Sequence, residues 1–152
     1  TYWRILMNSN VFDVLEVANK FKTKQERADV LKANDSFALK SVLQLAFHPN
    51  VVAALPEGAP PFKRIEKQQD EYHRGFIHAE ARKFGYLVDQ PGQNMTKLKR
   101  ENIFITIIES LPGAEADMLV AAKDKKLHKL YKGITADVAK LAFPDILPDD
   151  VK

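Results

Sequence analysis

The spacing of apolar residues is helical along most of the chain. In residues 10–22 apolar side chains recur every three to four positions, which puts them on one face of a helix. The residues on this face are Val11, Val14, Leu15, Ala18 and Phe21. Asn10 is the expected N-cap. A second helix is predicted from Thr23 to about Asn34, because Thr23 and Glu26 have the spacing of a capping box.

A third helix is predicted over Phe37–Phe47. Asp35 or Ser36 is its expected cap, and Pro49 lies just beyond its end, because proline cannot continue the hydrogen-bond ladder. Its apolar residues are Phe37, Leu39, Val42, Leu43, Ala46 and Phe47. Residues 56–61, Pro-Glu-Gly-Ala-Pro-Pro, predict an extended loop, since each proline biases the residue before it away from helix.

The second half of the chain carries the strongest helical signal. Residues 63–88 are highly charged and predict helix, although Gly75 and Gly85 weaken the pattern. A polar break follows at residues 89–94. Thr96 then caps a helix with an unbroken apolar stripe. The stripe consists of Ile103, Phe104, Ile107, Ile108 and Leu111.

Two more helices complete the predicted set. Pro112 ends the preceding helix and starts one that runs to about Lys123, with Glu115 and Asp117 favourable near its positive end. After a basic loop, a short helix is predicted over residues 135–143. Neither a repeat nor the alternation typical of strands is present, so we predict an all-α fold: a compact single-domain bundle of six to eight short helices.

The composition fits one globular domain. The chain has 152 residues, 45% of them apolar, which is enough for one core. We expect residues 10–147 to form the domain, with residues 1–9 as an N-terminal extension and 148–152 as a tail. The natural start is expected at Met7, with the preceding residues an addition.

The sequence also argues against a membrane-spanning protein, a disulfide-bonded protein and a secreted protein. No apolar run approaches the ~20 residues of a membrane span, so we expect no membrane association. The chain has no cysteine, hence no disulfide and no thiolate metal site. Its N-terminus is too short and polar for a secretory signal. We therefore expect a cytoplasmic protein, in a host cell if it is viral.

No catalytic motif is found. The chain lacks a glycine-rich phosphate loop, a nucleophile elbow and the lysine motif of nucleotidyltransferases. His73 and His78 are five residues apart, so on one helix their side chains would diverge by about 140° instead of sharing a metal ion. The acidic pairs Asp149–Asp150 and Glu66–Asp70 are read as solvated surface. We predict no enzymatic activity, no metal and no cofactor.

The lysines and arginines fall into three clusters, although the net charge is only +3. The first surrounds the first inter-helix turn: Lys20, Lys22, Lys24 and Arg27. The second opens the long apolar helix: Lys97, Lys99 and Arg100. The third lies in the basic loop: Lys123, Lys125, Lys126, Lys129 and Lys132. Any single cluster is more often solvated charge than a binding site, so their convergence on one face would be the stronger signal.

The third cluster ends in a distinctive step. Lys132-Gly133-Ile134-Thr135 leads directly into the last helix, whose first N–H groups are unpaired and lie at the positive end of its dipole. With Gly133 allowing close approach, these groups and Lys132 could hold one backbone phosphate. Equally, Gly133 could only make a tight turn that Thr135 caps. Both interpretations stay open here.

The chain resembles two related groups of phage proteins. Its first 45 and last 20 residues resemble the N-terminal DNA-binding domain of T-even bacteriophage DNA ligases. The similar segments are Thr-Lys-Gln-Glu at 23–26, Leu-Lys-Ala-Asn-Asp at 31–35, Lys-Gly-Ile-Thr at 132–135 and Ala-Phe-Pro-Asp-Ile-Leu at 142–147. The whole chain is also similar to short proteins of unknown function in T-even-like phages, including cyanophages. Those share the Leu-Pro-Glu-Gly-x-Pro-Pro loop, here residues 55–61.

The resemblance implies an all-α domain that grips the backbone of duplex DNA. Ligase activity is not implied, since the nucleotidyltransferase domain has no counterpart in this sequence. Our leading hypothesis is a non-catalytic phage accessory protein that binds duplex DNA without sequence preference. The predicted contacts are Lys22, Lys24, Arg27, Lys125, Lys126, Lys129, Lys132, Gly133 and Thr135. The alternative is a protein-interaction module that binds a host or phage protein through the proline-rich loop and an exposed Phe62.

Overall fold

The computed structural model describes residues 10–65, 76–90 and 92–148. Within these ranges the chain forms eight α-helices and one 3-10 helix. In chain order they are α1 (Val11–Lys20), α2 (Lys24–Ala33), α3 (Phe37–Phe47), α4 (Ile77–Glu80), the 3-10 helix (Ala81–Leu87), α5 (Lys97–Glu109), α6 (Gly113–Lys123), α7 (Leu127–Leu130) and α8 (Ala136–Ala142). No strand forms in the described ranges; Ala53 and Val88 make one isolated antiparallel bridge. The predicted all-α fold is confirmed.

Four helices begin at hydroxyl caps that the sequence predicts. The side-chain oxygens of Thr23, Ser36, Thr96 and Thr135 each accept a hydrogen bond from the backbone N–H three residues later. Ser36, and not Asp35, is the cap of α3. In a capping box the Glu26 carboxylate would accept the backbone N–H of Thr23. Here it accepts a hydrogen bond from the Thr23 hydroxyl group instead, at 2.9 Å. These local contacts set the helix starts.

The start of α1 is capped from a distant helix. The side chain of Asn10 makes no capping bond to the helix. Instead the carboxyl group of Glu115, in α6, accepts the N–H of Val11 at 3.1 Å and that of Phe12 at 2.8 Å. Glu115 is fully buried, and burial raises its pKa to about 8 against the lowering effect of these two bonds. A residue expected to favour its own helix therefore holds α1 against α6.

The core lies between α1, α2, α3, α5, α6 and α8. Helix α2 packs along α8 and α1, and α3 packs along α6. The largest fully buried side chains are Leu15, Leu31, Leu39, Leu43, Ile77, Leu87, Phe104, Ile107, Ile108, Leu111, Met118 and Leu119. The predicted apolar stripe of α5 is buried except at Ile103, which is partly exposed. Phe37 was expected in the apolar face of α3 but, as the first residue of the helix, is 65% exposed.

The middle of the chain departs from the predicted long helix. Residues 63–65 are not helical, and residues 66–75 lie outside the described part. Helix appears only as α4 and the 3-10 helix that continues it, a tighter form that is common in short pieces. Conversely, the basic loop contains α7, which the sequence pattern did not indicate. Among the described residues, no helix combines the length and the apolar character needed to cross a membrane.

Candidate nucleic-acid interface

Two basic segments far apart in the sequence lie against each other. The amide oxygen of Asn19, in the last turn of α1, accepts the N–H of Gly133 at 2.6 Å. The Lys24 ammonium at the start of α2 donates to the Asp137 carboxylate in the first turn of α8 at 2.9 Å. Helices α2 and α8 also pack together along their length. The turn between α1 and α2 is thus held beside the connection between α7 and α8.

We call the surface formed by these two segments the basic face. Its cationic residues are Lys20, Lys22, Lys24, Arg27, Lys129 and Lys132. Within the described part of the chain, Lys20, Lys22, Lys129 and Lys132 are exposed and make no ion pair. Like charges gathered on one surface raise the local potential and attract polyanions. This face gathers members of the first and third predicted clusters.

Arg27 joins the two segments. Its Nε donates to the backbone carbonyl of Phe21 at 2.9 Å, and its guanidinium lies against Gly133. Asp137, an acid on this face, is paired with Lys24, whose hydrogen bond and charge lower the pKa of the carboxyl group. Arg27 therefore links the turn after α1 to the connection before α8.

Two N–H groups at the predicted phosphate cradle are already bonded within the fold. The N–H of Gly133 is bonded to Asn19, and that of Ile134 donates to the carbonyl of Tyr131 at 2.9 Å. A side chain at position 133 would place its Cβ 2.7 Å from both Asn19 Oδ1 and Arg27 Nε. The space that a side chain at position 133 would take is thus occupied by Asn19 and Arg27, not left open for a ligand. Thr135 acts as the cap of α8, as the alternative interpretation had it, accepting from Val138 at 3.4 Å.

Two of the predicted DNA contacts face another part of the fold. The Lys125 ammonium donates to the carbonyls of Leu45, His48 and Val51 at 2.6–2.7 Å, and burial lowers its pKa. The Lys126 ammonium pairs with Glu57, whose hydrogen bond raises the lysine pKa. Both bind residues of the segment after α3, and neither is counted in the basic face. The Lys125 ammonium is held by three carbonyls, whereas the pair of Lys126 with Glu57 is exposed.

The proline-rich loop is fixed by the same neighbourhood. The buried Lys123 ammonium donates to the carbonyl of Pro56 at 2.8 Å, and the N–H of Gly58 donates to Asp124 at 2.9 Å. Phe62, expected to be exposed for docking, is partly buried and packs against the core. The loop is thus a fastened part of the domain. Beside it lies a small cavity of about 250 Å³.

Metal and aromatic sites receive no support from the described residues. No three histidine, aspartate or glutamate side chains among them could hold a metal ion. His73 lies outside the described ranges. Tyr131 is buried, and burial together with the nearby acids raises the pKa of its hydroxyl group. Asn19, which joins the two halves of the basic face, was missed because its contact spans 114 residues and leaves no local pattern.

Comparison with known proteins gives the chain a family but no activity. A family model described as a family of unknown function, DUF6433, matches residues 14–129. The matched region runs from α1 through most of α7 and covers more than half of the chain. No curated protein and no solved structure matches it. The chain belongs to the family DUF6433.

Proposed function

We propose that this protein binds duplex DNA through the phosphate backbone, without sequence preference and without catalysis, on its basic face. The observation that carries the proposal is the contact of Asn19 with Gly133. It holds the end of α1 and the following turn, which carry Lys20 and Lys22, beside the segment before α8, which carries Lys129 and Lys132. Lysines that converge in this way, with no acidic partner in the described residues, suit a polyanion.

The chemistry of the face favours phosphate contacts over base recognition. Lysine ammonium groups are mobile point charges that bind phosphate oxygens and carry no sequence information. Each neutralised phosphate releases a condensed counterion, so affinity falls steeply with salt. With four to five contacts, raising the salt from 50 to 200 mM is expected to weaken binding by about 150- to 500-fold.

The biological setting follows from the sequence resemblance. A domain similar to the DNA-binding module of T-even phage ligases, acting without catalysis, would serve as an accessory to phage replication, repair or transcription. In that role the protein would act on DNA in the cytoplasm of an infected cell. A non-catalytic binder needs neither metal nor cofactor.

A charge-reversal variant tests the proposal. We expect Lys22→Glu, Lys129→Glu and Lys132→Glu together to weaken binding of a labelled duplex at low salt by about tenfold or more, because phosphate attraction becomes repulsion. All three side chains are exposed and make no ion pair with the described residues, so the variant should fold normally. Fluorescence anisotropy at two salt concentrations measures the effect.

A matched control separates this face from net charge alone. Lys63→Glu, Arg82→Glu and Lys97→Glu change the net charge by the same amount, but lie outside α1, α2, α7 and α8. Binding of the control should stay within about threefold of the native protein. Equal losses in both variants, or no binding of the native protein at low salt, would refute the proposal.

A protein-interaction module is the second function under consideration. The proline-rich loop no longer supports it, since Phe62 packs against the core. A different feature does: an uncovered apolar groove beside α5, with Leu98 68% exposed.

A further inference from the structure

Helix α5 carries apolar side chains outside its buried stripe. Phe104, Ile107 and Ile108 face the core and are fully or almost fully buried. On one edge of this stripe Leu98 is 68% exposed, and on the other edge Ile103 is only partly covered by the described residues. Isolated exposed leucines are common, but apolar side chains gathered in a concave surface usually mark a binding site.

These side chains line a groove between α5 and the 3-10 helix. Its volume is about 500 Å³, and Tyr86 forms the opposite wall with 49% of its surface exposed. Tyr86, Leu98 and Ile103 provide its apolar lining, and Thr96, Asn102 and Thr106 add polar groups. A mixed lining of this kind suits an amphipathic segment, which has one apolar and one polar face.

The charges around the groove are positive. Lys83 lies on one wall and Lys99 on the other, and no carboxylate of the described residues lines it. Lys83 is partly neutralised by Glu80 at 3.1 Å, whereas Lys99 makes no ion pair in the described part. Glu101, the nearest acid on α5, faces the opposite flank, toward the proline-rich loop.

We propose that this groove docks an acidic amphipathic segment of a partner protein. Leucine-like side chains of the segment would fill the space between Tyr86 and Leu98, and its carboxylates would meet Lys83 and Lys99. This complementarity of charge selects an acidic partner over a basic one. Duplex DNA is a poor occupant, since phosphates gain nothing from Leu98 and Ile103. The groove lies on α5, away from the elements of the basic face, so one molecule could hold DNA and a protein together.

A synthetic peptide tests the docking surface. The probe is a labelled peptide with leucines at helical spacing among glutamates, titrated into the native protein. Leu98→Asp should weaken binding by about tenfold or more, because it removes the apolar contact and adds a repelling charge. Leu141→Asp, the same change at another exposed leucine, should leave binding within about twofold.

Four results would overturn this proposal. The peptide could bind Leu98→Asp as well as the native protein, or a version with lysines for glutamates could bind equally. Sedimentation could also show a dimer that Leu98→Asp dissociates, which would make a second copy of the chain the occupant. Binding to duplex DNA should be unchanged by Leu98→Asp; a loss there would place the groove in the nucleic-acid site instead. Since the charge-reversal variant of the basic face should still bind the peptide, the two proposals can fail separately.

Discussion

Replacing Glu115 by alanine is expected to destabilise the protein by about 3–5 kcal/mol. The N–H groups of Val11 and Phe12 lose their acceptors, and each buried donor left without one costs about 1–3 kcal/mol. The removed side chain also leaves a cavity between α1 and α6. Urea unfolding at pH 5–6 measures the change. Asp117→Ala on the same helix is the control, because it breaks only the exposed pair with Arg64 and should cost less than about 1 kcal/mol.

The same residue should make stability fall as pH rises. Burial raises the Glu115 pKa from 4.5 to about 8, so the folded state keeps a proton that the unfolded state releases. Asp13 adds to this rise, while the N–H groups of Val11 and Phe12 oppose it. The stabilising contribution of Glu115 should be fully present below pH 4.5 and should decrease by about 1.4 kcal/mol per pH unit up to pH 8.

Glu115→Gln isolates this titration. Glutamine keeps the size of the side chain but does not ionise, so the pH-dependent loss between pH 4.5 and 8 should largely disappear. The native protein should be the more stable of the two at pH 5, and the difference should shrink by pH 9. Parallel stability profiles for the two proteins would show that Glu115 does not titrate in this window.

Replacing Lys125 by alanine is expected to cost about 3 kcal/mol. Its ammonium binds three carbonyls at the negative end of α3, those of Leu45, His48 and Val51. Hydrogen bonds from a charged donor contribute more than neutral ones, and the carbonyls would regain only part of this from water. Lys129→Ala, on an exposed lysine without such bonds, should stay within about 0.5 kcal/mol.

Glycine at position 125 should be less harmful than alanine. Lys125 has φ +60°, and the N–H groups of Lys125 and Lys126 close a Schellman motif on the carbonyls of Ala122 and Ala121. Glycine adopts this left-handed backbone without the cost of about 1 kcal/mol that a side chain incurs. Lys125→Gly should therefore cost about 2 kcal/mol in the same unfolding measurement. If both variants match the native protein, the three carbonyl contacts do not stabilise the fold.

The elements that the sequence predicts well are those specified by neighbouring residues. Thr23, Ser36, Thr96 and Thr135 start helices because a hydroxyl reaches an N–H three residues away, a distance visible in the sequence. The apolar stripe of α5 is buried for the same reason, since its period is that of the helix. Local chemistry thus sufficed for the fold class.

The contacts that the sequence missed join residues distant in the chain. Glu115 reads locally as a favourable charge in the first turn of α6, yet it caps α1 from a distance of 104 residues. In the sequence Lys125 is one more cation in a basic loop, yet its ammonium group donates hydrogen bonds to carbonyls at the C-terminal end of α3. Gly133 reads as a flexible turn before a helix, but its role is to admit Asn19 and Arg27. Side chains of one type therefore have different roles according to neighbours that a periodic pattern does not reveal.

The basic face was predictable only in part for the same reason. In the sequence Lys22 and Lys24 belong to one basic cluster and Lys132 to another. The packing of α2 on α8 brings the segments that carry them together. Nothing in the sequence indicated that Lys125 and Lys126 would be bound by the segment after α3. A count of lysines along the sequence therefore overestimates how many can bind a ligand, because some of them are hydrogen-bonded to acceptors within the fold.

Backbone amide shifts of the isotope-labelled protein, titrated with a short duplex at low salt, test the central claim most directly. The proposal predicts that amides of residues 19–27 and 129–137 shift together in proportion to bound DNA, and that the shifts reverse when salt is added. Amides near Lys125, Lys126 and Glu57 should stay in place. Shifts confined to those residues or to α5, or no shifts at all, would contradict the assignment of DNA binding to the basic face.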